Sequence, residues 1–356
     1  MSVAGGVAGE DIVFGRNGAV ATVLLNRPKA LNALTHEMCV DLHAEMKRWR
    51  DDPSIGAVVV RGAGDRAFCA GGDIRKLYDE GRAGGQYPYQ FYHDEYRLNA
   101  DIHHYPKPWI SLLDGIVMGG GCGVSIPGSH RVATGRAMFA MPETGIGLFP
   151  DVGGSFFLSR CPGRIGTWLA LTGARLKAAD CLHAGVADAF VPSERLDDLE
   201  TALGQATIRS HDDATAVIAR FAGDPGASAL ADRQADIDRL FAGDSVEAIL
   251  AALQADGGEW ALAQAGIMAQ KSPTSLKIAH RQVREGASRD FRDCMRMEWR
   301  MVNRIIAGHD FYEGTRATVI DKDQSPAWQP ATLDAVDQST VDRYFAPLPD
   351  GDLQFD

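Results

Sequence analysis

Apolar residues gather in short β-branched runs in the first half of the chain and in helical stripes in the second. Gly18–Leu25 (GAVATVLL), Ile55–Arg61 (IGAVVVR) and Trp109–Leu113 (WISLL) are continuous apolar runs of strand length. Arg131–Thr134 and Met138–Ala140 read as shorter strands. After the first run, Pro28 fixes its own φ and pushes Arg27 out of the helical region, so Asn26–Leu31 reads as a turn. Thr35 then fits the N-cap of a helix through about Asp51, with Glu37 in its first turn. Met38, Leu42, Met46 and Trp49 recur within it at helical spacing, as a core-facing stripe does. Further helices are expected from about Asp73, over Gln86–Tyr105 and after Gly115–Gly123 (GIVMGGGCG). Strand, turn and helix thus recur through about residue 150, which is an α/β pattern.

From Gly153 onward the pattern turns largely helical. Helices are expected over about Gly153–Arg160, Gly163–Thr172, Ala178–Ala184, Ser193–Ile208, Ser245–Ala255 and Thr274–Gly286. His211–Asp213 and Asp224–Ala227 read as breaks. Four prolines fall in the last 32 residues, so the chain from about Ser325 is expected to be extended. No solenoid-type repeat is present. The expected division is a core of residues 1–205 and a helical region with a tail over residues 206–356.

Composition narrows the function classes. A formal net charge of -11 argues against nucleic-acid binding, which needs a basic face. It also means that any anionic ligand must be held by local donors. The six cysteines are scattered with no CxxC pair, as in a reduced protein rather than a disulfide scaffold. The ten histidines include no HxxxH pair, and His103–His104 are expected to cap or pack, so no metal site is expected. The N-terminal stretch MSVAGGVAGED lacks the features of a leader, and no run approaches the ~18 apolar residues of a membrane span. The expectation is a cytoplasmic protein that binds neither nucleic acid nor membrane.

Two Gly-rich stretches, Phe68–Ile74 (FCAGGDI) and Met118–Gly123 (MGGGCG), each follow a strand and open a helix. Helix N-termini carry unsatisfied N–H groups at the positive end of the dipole. Two such turns can aim two N–H donors at one oxygen, which is an oxyanion hole. Read alone, the same glycines also serve tight turns and close packing. Neither stretch matches G-x-G-x-x-G and no P-loop lysine follows, which argues against a nucleotide-phosphate cradle.

Met141–Gly154 (MPETGIGLFPDVGG) places Glu143 and Asp151 eight residues apart with no other charge between them. Apolar neighbours such as Ile146, Leu148, Phe149 and Pro150 are expected to raise a carboxylate's pKa by desolvation. On the residues alone, the pair also fits a surface ion-pair acid and a turn-capping acid after Pro150.

With these motifs in order, the chain resembles the crotonase (enoyl-CoA hydratase/isomerase) superfamily. Leu24–Leu34 (LLNRPKALNAL) is similar to its first CoA-binding turn, and FCAGGDI and GIVMGGGCG to its two oxyanion segments. Ser272–Ile278 (SPTSLKI), Gly308–Gly314 (GHDFYEG) and Ile320–Pro326 (IDKDQSP) extend the similarity through the tail. Together with AFCAGGDIR, MGGGCGVS and MPETGIGLFPDVGG, they are most similar to the branch that hydrolyses short, branched 3-hydroxyacyl-CoA thioesters, a step of valine degradation.

The resemblance implies a spiral of strand–strand–helix repeats closed by a mainly helical C-terminal region. It puts oxyanion donors on the N–H groups of Gly72 and Gly120, and the catalytic carboxylates at Glu143 and Asp151. Glu95 and Phe149 would line the acyl pocket; Lys29, Ala70, Asp73 and Ile74 would meet CoA. CoA enters as part of the substrate, with no separate cofactor, and a homo-oligomer is implied. The hydratases carry a second catalytic Glu right after the Cys of MGGGC, where this chain has Gly123, and Gly where it has Asp151. Hydration by two acids straddling a water is therefore disfavoured. Dienoyl-CoA isomerases resemble the chain in the Glu/Asp pair and form the alternative. A CoA-ester-binding protein without turnover is disfavoured because both acids are present. Glu143 could attack the thioester carbonyl or deprotonate a water, and the residues leave both routes open.

Overall fold

In the computed structural model, residues 11–355 are described. The leader reading of the first ten residues falls outside them. The chain divides into two compact units, each drawing on segments from distant parts of the sequence. One comprises residues up to Gly72, Arg97–Phe139 and Arg175–Leu230; the other comprises Asp73–Tyr96, Ala140–Ala174 and residues from Ala231 on.

The first unit is built on a six-stranded sheet of β1 (Ile12–Asn17), β2 (Val20–Leu25), β3 (Ala57–Gly62), β5 (Trp109–Leu113), β7 (His130–Ala133) and β9 (Ala189–Phe190), in that order. β1 and β2 form an antiparallel hairpin, and every later pairing is parallel. The hairpin loop is two residues long and begins with Gly18 at φ 60°, the left-handed entry that such turns need. The sequence pattern did not mark β1, because its apolar start gives way to Gly15, Arg16 and Asn17.

β4 (Ala67–Cys69), β6 (Ile116–Met118) and β8 (Met138–Ala140) form a second, three-stranded sheet in that order. One face of the large sheet presents Val20, Val59, Ile110, Leu112 and Val132 to Leu196, Leu199 and Leu203 of the helix Leu196–Gln205, and to Val217 and Ile218. Removing that apolar area from water, at roughly 25 cal/mol per Å², is the main force holding sheet to helices.

The helix His36–Asp51 matches its expected span, with the Thr35 side chain accepting the Met38 N–H at 3.2 Å. Met38, Leu42 and Met46 are buried, whereas Trp49 is half-buried and meets Phe14 edge-on at 5.7 Å. Two expectations need correction. His211–Asp213 is no break: it opens the helix His211–Ala219, because Ser210 and Asp213 form a reciprocal capping box. The tail is also not extended throughout. The helix Gln338–Phe345 forms in it, capped by Asp337 accepting the Thr340 N–H at 2.7 Å. His104 packs as expected, its Nδ1 2.8 Å from the Ala100 carbonyl oxygen.

Candidate active site

In the first unit, β4 and β6 run parallel and adjacent, and each ends in the same device. A glycine with positive φ (Gly71 at 118°, Gly119 at 47°) is followed by the glycine named as a donor, Gly72 or Gly120. A side chain at Gly71 would start 3.9 Å from the Gly120 nitrogen, so the two turns lie against each other. Gly120 opens the short helix Gly120–Gly123, whose first N–H groups have no partner within the helix. A Cβ at Gly121 would collide with the Cys69 carbonyl, so glycine lets this helix pack directly on β4.

The 3₁₀ turn Pro28–Ala30 lies alongside, joined by the Ala70 N–H to the Leu31 carbonyl (3.0 Å) and the Leu34 N–H to the Gly71 carbonyl (2.8 Å). Buried Asn32, which the sequence reading did not single out, anchors this turn. Its Nδ2 donates to Ala63 and Ala67 carbonyls at 2.9 and 2.8 Å, and its Oδ1 accepts the Arg27 N–H at 3.0 Å. Lys29 is exposed on the turn, and Ala70 is half-buried.

The acids lie in the second unit. Asp73 is the N-cap of the helix Ile74–Arg82, accepting the Lys76 N–H at 3.2 Å, and Ile74 is that helix's first residue. Glu143 opens the 3₁₀ turn Glu143–Ile146, and the Leu148 N–H returns to its carbonyl at 3.0 Å. Two distant motifs converge on this turn, and a third braces one of them. Ser272 donates its N–H to the Thr144 carbonyl at 3.2 Å and its hydroxyl to Asp310 Oδ2 at 2.6 Å. A Cβ at Gly147 would collide with the Asp310 carbonyl, and one at Gly314 would sit 2.7 Å from Ile146 Cα. Arg316 then ties Glu313 (2.9 Å) to Asp321 (2.8 Å) and Asp323 (2.6 Å). SPTSLKI and GHDFYEG therefore support the Glu143 turn, and IDKDQSP is tied to GHDFYEG through Arg316.

Asp151 is held from several sides. The Tyr96 hydroxyl donates to Asp151 Oδ2 at 2.9 Å, Gln282 Nε2 donates to the Pro150 carbonyl, and Glu298 accepts the N–H groups of Gly153 and Ser155, each at 2.9 Å. Phe149 is fully buried just before them. Glu298 lies on the helix Phe291–Ile306, while Glu95 and Tyr96 lie on the helix Tyr87–His103.

Glu95, Glu143, Asp151 and Glu298, all in this unit, are buried, at 1, 5, 3 and 0% exposed. Glu95 is buried on its helix rather than solvated. Burial raises all four pKa values. Glu143 is pushed well above the usual carboxylate range by desolvation and then by the charge of Asp151, with Lys271 pulling the other way. Glu95 is raised strongly by burial and then by Asp151 and Glu298. Asp151 rises to about 7 by burial, opposed by the Tyr96 hydroxyl. Glu298 rises to about 8 by burial, opposed by the Gly153 and Ser155 N–H groups. Glu95 Oε1 and Glu143 Oε2 are buried with no hydrogen-bond partner among the described residues. Unsatisfied acceptors of this kind lack the bonds that would otherwise favour the charged form. Burial holds the Tyr96 phenol well above its usual range, so it remains a donor.

The fold and these two constellations define a class. Residues 20–345 match the family model described as Enoyl-CoA hydratase/isomerase, and the chain belongs to that family. Among curated relatives, it is similar to "3-hydroxyisobutyryl-CoA hydrolase, mitochondrial" of Danio rerio, 46% identical over 98% of this chain and 92% of the relative. The Homo sapiens protein of the same name is 42% identical over 98% and 92%. Among solved structures, a carnitinyl-CoA dehydratase from Mycobacterium thermoresistibile superposes with TM-score 0.91 at 41% identity, covering 98% of this chain and 99% of that one. An enoyl-CoA hydratase from Rhodobacter sphaeroides 2.4.1 gives 0.90 at 38%, over 97% and 100%. The cytoplasmic expectation is overturned, because the curated relatives are named mitochondrial. Among the described residues no metal-ligating cluster occurs, and no helix is long and apolar enough to cross a membrane.

Proposed function

We propose that the chain hydrolyses 3-hydroxyisobutyryl-CoA to the free acid and CoA, in the degradation of valine. The nearly full-length similarity to hydrolases of that name supports the reading. The observation that carries it is where the acids are. Glu143 and Asp151 are both buried in the second unit, while position 123, where the hydratases have their second acid, is a buried glycine.

In this reading the N–H groups of Gly72 and Gly120 hold the thioester carbonyl oxygen. An oxygen nucleophile attacks the carbonyl carbon, and these donors stabilise the tetrahedral oxyanion. The C–S bond then breaks and the thiolate takes a proton. Asp151, with a pKa raised to about 7, is suited to carry it at neutral pH. Glu143 serves either as the nucleophile, forming an anhydride that water opens, or as the base for a directly attacking water. Glu95 and Phe149 would shape the acyl pocket, and Lys29, Ala70, Asp73 and Ile74 would contact CoA. Assembly into a homo-oligomer, read by light scattering, belongs to the same reading.

The test is thiol release from 3-hydroxyisobutyryl-CoA, with crotonyl-CoA and a dienoyl-CoA run alongside. Thiol release that is lost in both Glu143→Gln and Asp151→Asn supports hydrolysis. A change of conjugated absorbance without thiol release would replace it with isomerase or hydratase chemistry. Single turnover in ¹⁸O-water separates the two roles of Glu143, because only the anhydride route leaves label in its side chain.

A further inference from the structure

We propose that Glu298 is a positioning residue that holds the loop after Asp151 in a strained conformation and so aims the Asp151 carboxyl. The inference rests on the reading of Asp151 as catalytic. Asp151 is followed by Val152 at φ 53° and Gly153 at φ 92°. Glycine takes the left-handed region freely, but a β-branched valine there is strained and persists only where its surroundings impose it. The imposing contacts are visible. The two carboxylate oxygens of Glu298 accept the Gly153 and Ser155 N–H groups at 2.9 Å each, which fixes the chain two and four residues beyond Asp151. On the same helix, Phe291 closes over Gly153, where a Cβ would meet its ring at 2.9 Å. On the other side of the strained residue, Gln282 holds the Pro150 carbonyl. Asp151 is thus set between two fixed points, with the Tyr96 hydroxyl on its Oδ2.

Glu298 satisfies N–H groups at the start of the helix Gly154–Phe157, at the desolvation cost of a buried carboxyl. It lies on the buried stripe of its helix, among Phe291, Cys294, Met295, Met301, Val302 and Ile305, where an apolar residue would pack at no desolvation cost. The groups that face it are Asp151 from the loop, Glu95 and Tyr96 from the helix Tyr87–His103, and Cys294 from its own helix. Three of these four are acids or a phenol, so its surroundings oppose the charge that its two N–H bonds favour. As pH rises and Glu298 ionises, those bonds become charge-assisted and tighten.

The experiment compares Glu298→Gln with the wild type and with Asp151→Asn in the thiol-release assay. Displacement of a catalytic group by about 1 Å costs about 10²-fold, so kcat of the folded Glu298→Gln enzyme should fall by about that factor. KM should hold within about threefold, because the substrate contacts are untouched. The wild type is expected to show a rise of kcat through pH about 8, and the variant to lack it. A purely structural role would lower Tm and leave kcat per folded molecule and its pH profile unchanged. That outcome, with Asp151→Asn inactive, overturns the inference alone. An active Asp151→Asn overturns the catalytic reading of Asp151 and the inference with it. If Glu298→Gln does not fold, Glu298→Asp, which keeps the carboxyl but shortens its reach to the Gly153 and Ser155 N–H groups, takes its place. A kcat lowered with KM held supports the inference, and a wild-type kcat overturns it.

Discussion

Tyr96→Phe removes one atom from the site and tests how Asp151 is tuned. The phenol donates to Asp151 Oδ2 at 2.9 Å in a buried setting, and it is the leading influence that pulls the Asp151 pKa down against desolvation. Phenylalanine keeps the ring, and with it the contact to Tyr92 at 5.7 Å, so the packing is retained. A hydrogen bond to a charged group contributes about 1.5–3 kcal/mol, and about 1.4 kcal/mol corresponds to one pKa unit. Losing this bond should therefore raise the Asp151 pKa by about one to two units. The sign does not depend on the role of Asp151. Whether the ionised or the protonated form is active, the limb of kcat/KM that follows Asp151 moves toward alkaline pH. The assay is the pH dependence of thiol release for the wild type and Tyr96→Phe, read on the limb that lies near pH 7 in the wild type. A limb that stays in place or moves toward acid in Tyr96→Phe would refute the assignment of this hydroxyl as the donor that tunes Asp151.

The acid cluster should also be visible in stability. The Asp151 pKa is raised in the folded state from 3.8 to about 7, so the native state holds a proton that the unfolded chain releases, and wild-type stability falls as pH rises through that window. Asp151→Asn removes the effect and should gain up to about 4 kcal/mol on the wild type between mildly acidic and neutral pH, read by chemical denaturation; a constant difference would count against it. Gly119→Ala puts a side chain at φ 47° just before the Gly120 donor and should lower kcat by about 10²–10³-fold, with unchanged kcat refuting the oxyanion assignment. Gly147→Ala combines a left-handed φ of 72° with a collision on the Asp310 carbonyl and should destabilise by about 2–4 kcal/mol; an unchanged Tm would refute the steric reasoning.

How much was legible in the sequence depended on whether a local pattern existed. β2, β5 and the helix His36–Asp51 were readable because a continuous apolar run or a capped stripe announces itself within one segment. β1 was not, since its place in the sheet comes from pairing with β2. The helix His211–Ala219 reads as a break because its first turn is acidic and polar, although Ser210 and Asp213 stand at capping-box spacing. At the site, the Glu/Asp pair and the two glycine turns were legible by resemblance. Glu298, Tyr96 and Lys271 were not, because their roles arise from segments far apart in the chain. A signal for Glu298 did exist: it occupies the i+3/i+4 stripe of Phe291, Cys294, Met295, Met301 and Val302, where periodicity demands an apolar residue. Glu95 breaks the stripe of Phe91, Tyr92 and Ile102 in the same way. A carboxyl on the buried face of a helix is costly unless something uses it.

The position of the second acid matters more than its identity. At 123 it would stand in the four-residue helix packed on β4, beside the glycine turns of the first unit. At 151 it belongs to a loop of the second unit that is bound on both sides and shares its burial with three other carboxyls. Such a group cannot be fully ionised together with its neighbours, because each negative charge raises the pKa of the next. Burial itself brings the Asp151 pKa to about 7, against the pull of the Tyr96 hydroxyl, and near neutrality a proton can be both accepted and released. That property suits a thioester hydrolase, whose leaving thiolate must be protonated in the same site that activates an oxygen nucleophile. On the proposed reading, the exchange of Gly and acid between positions 123 and 151 changes the chemistry by changing the environment of one carboxyl while the fold is kept.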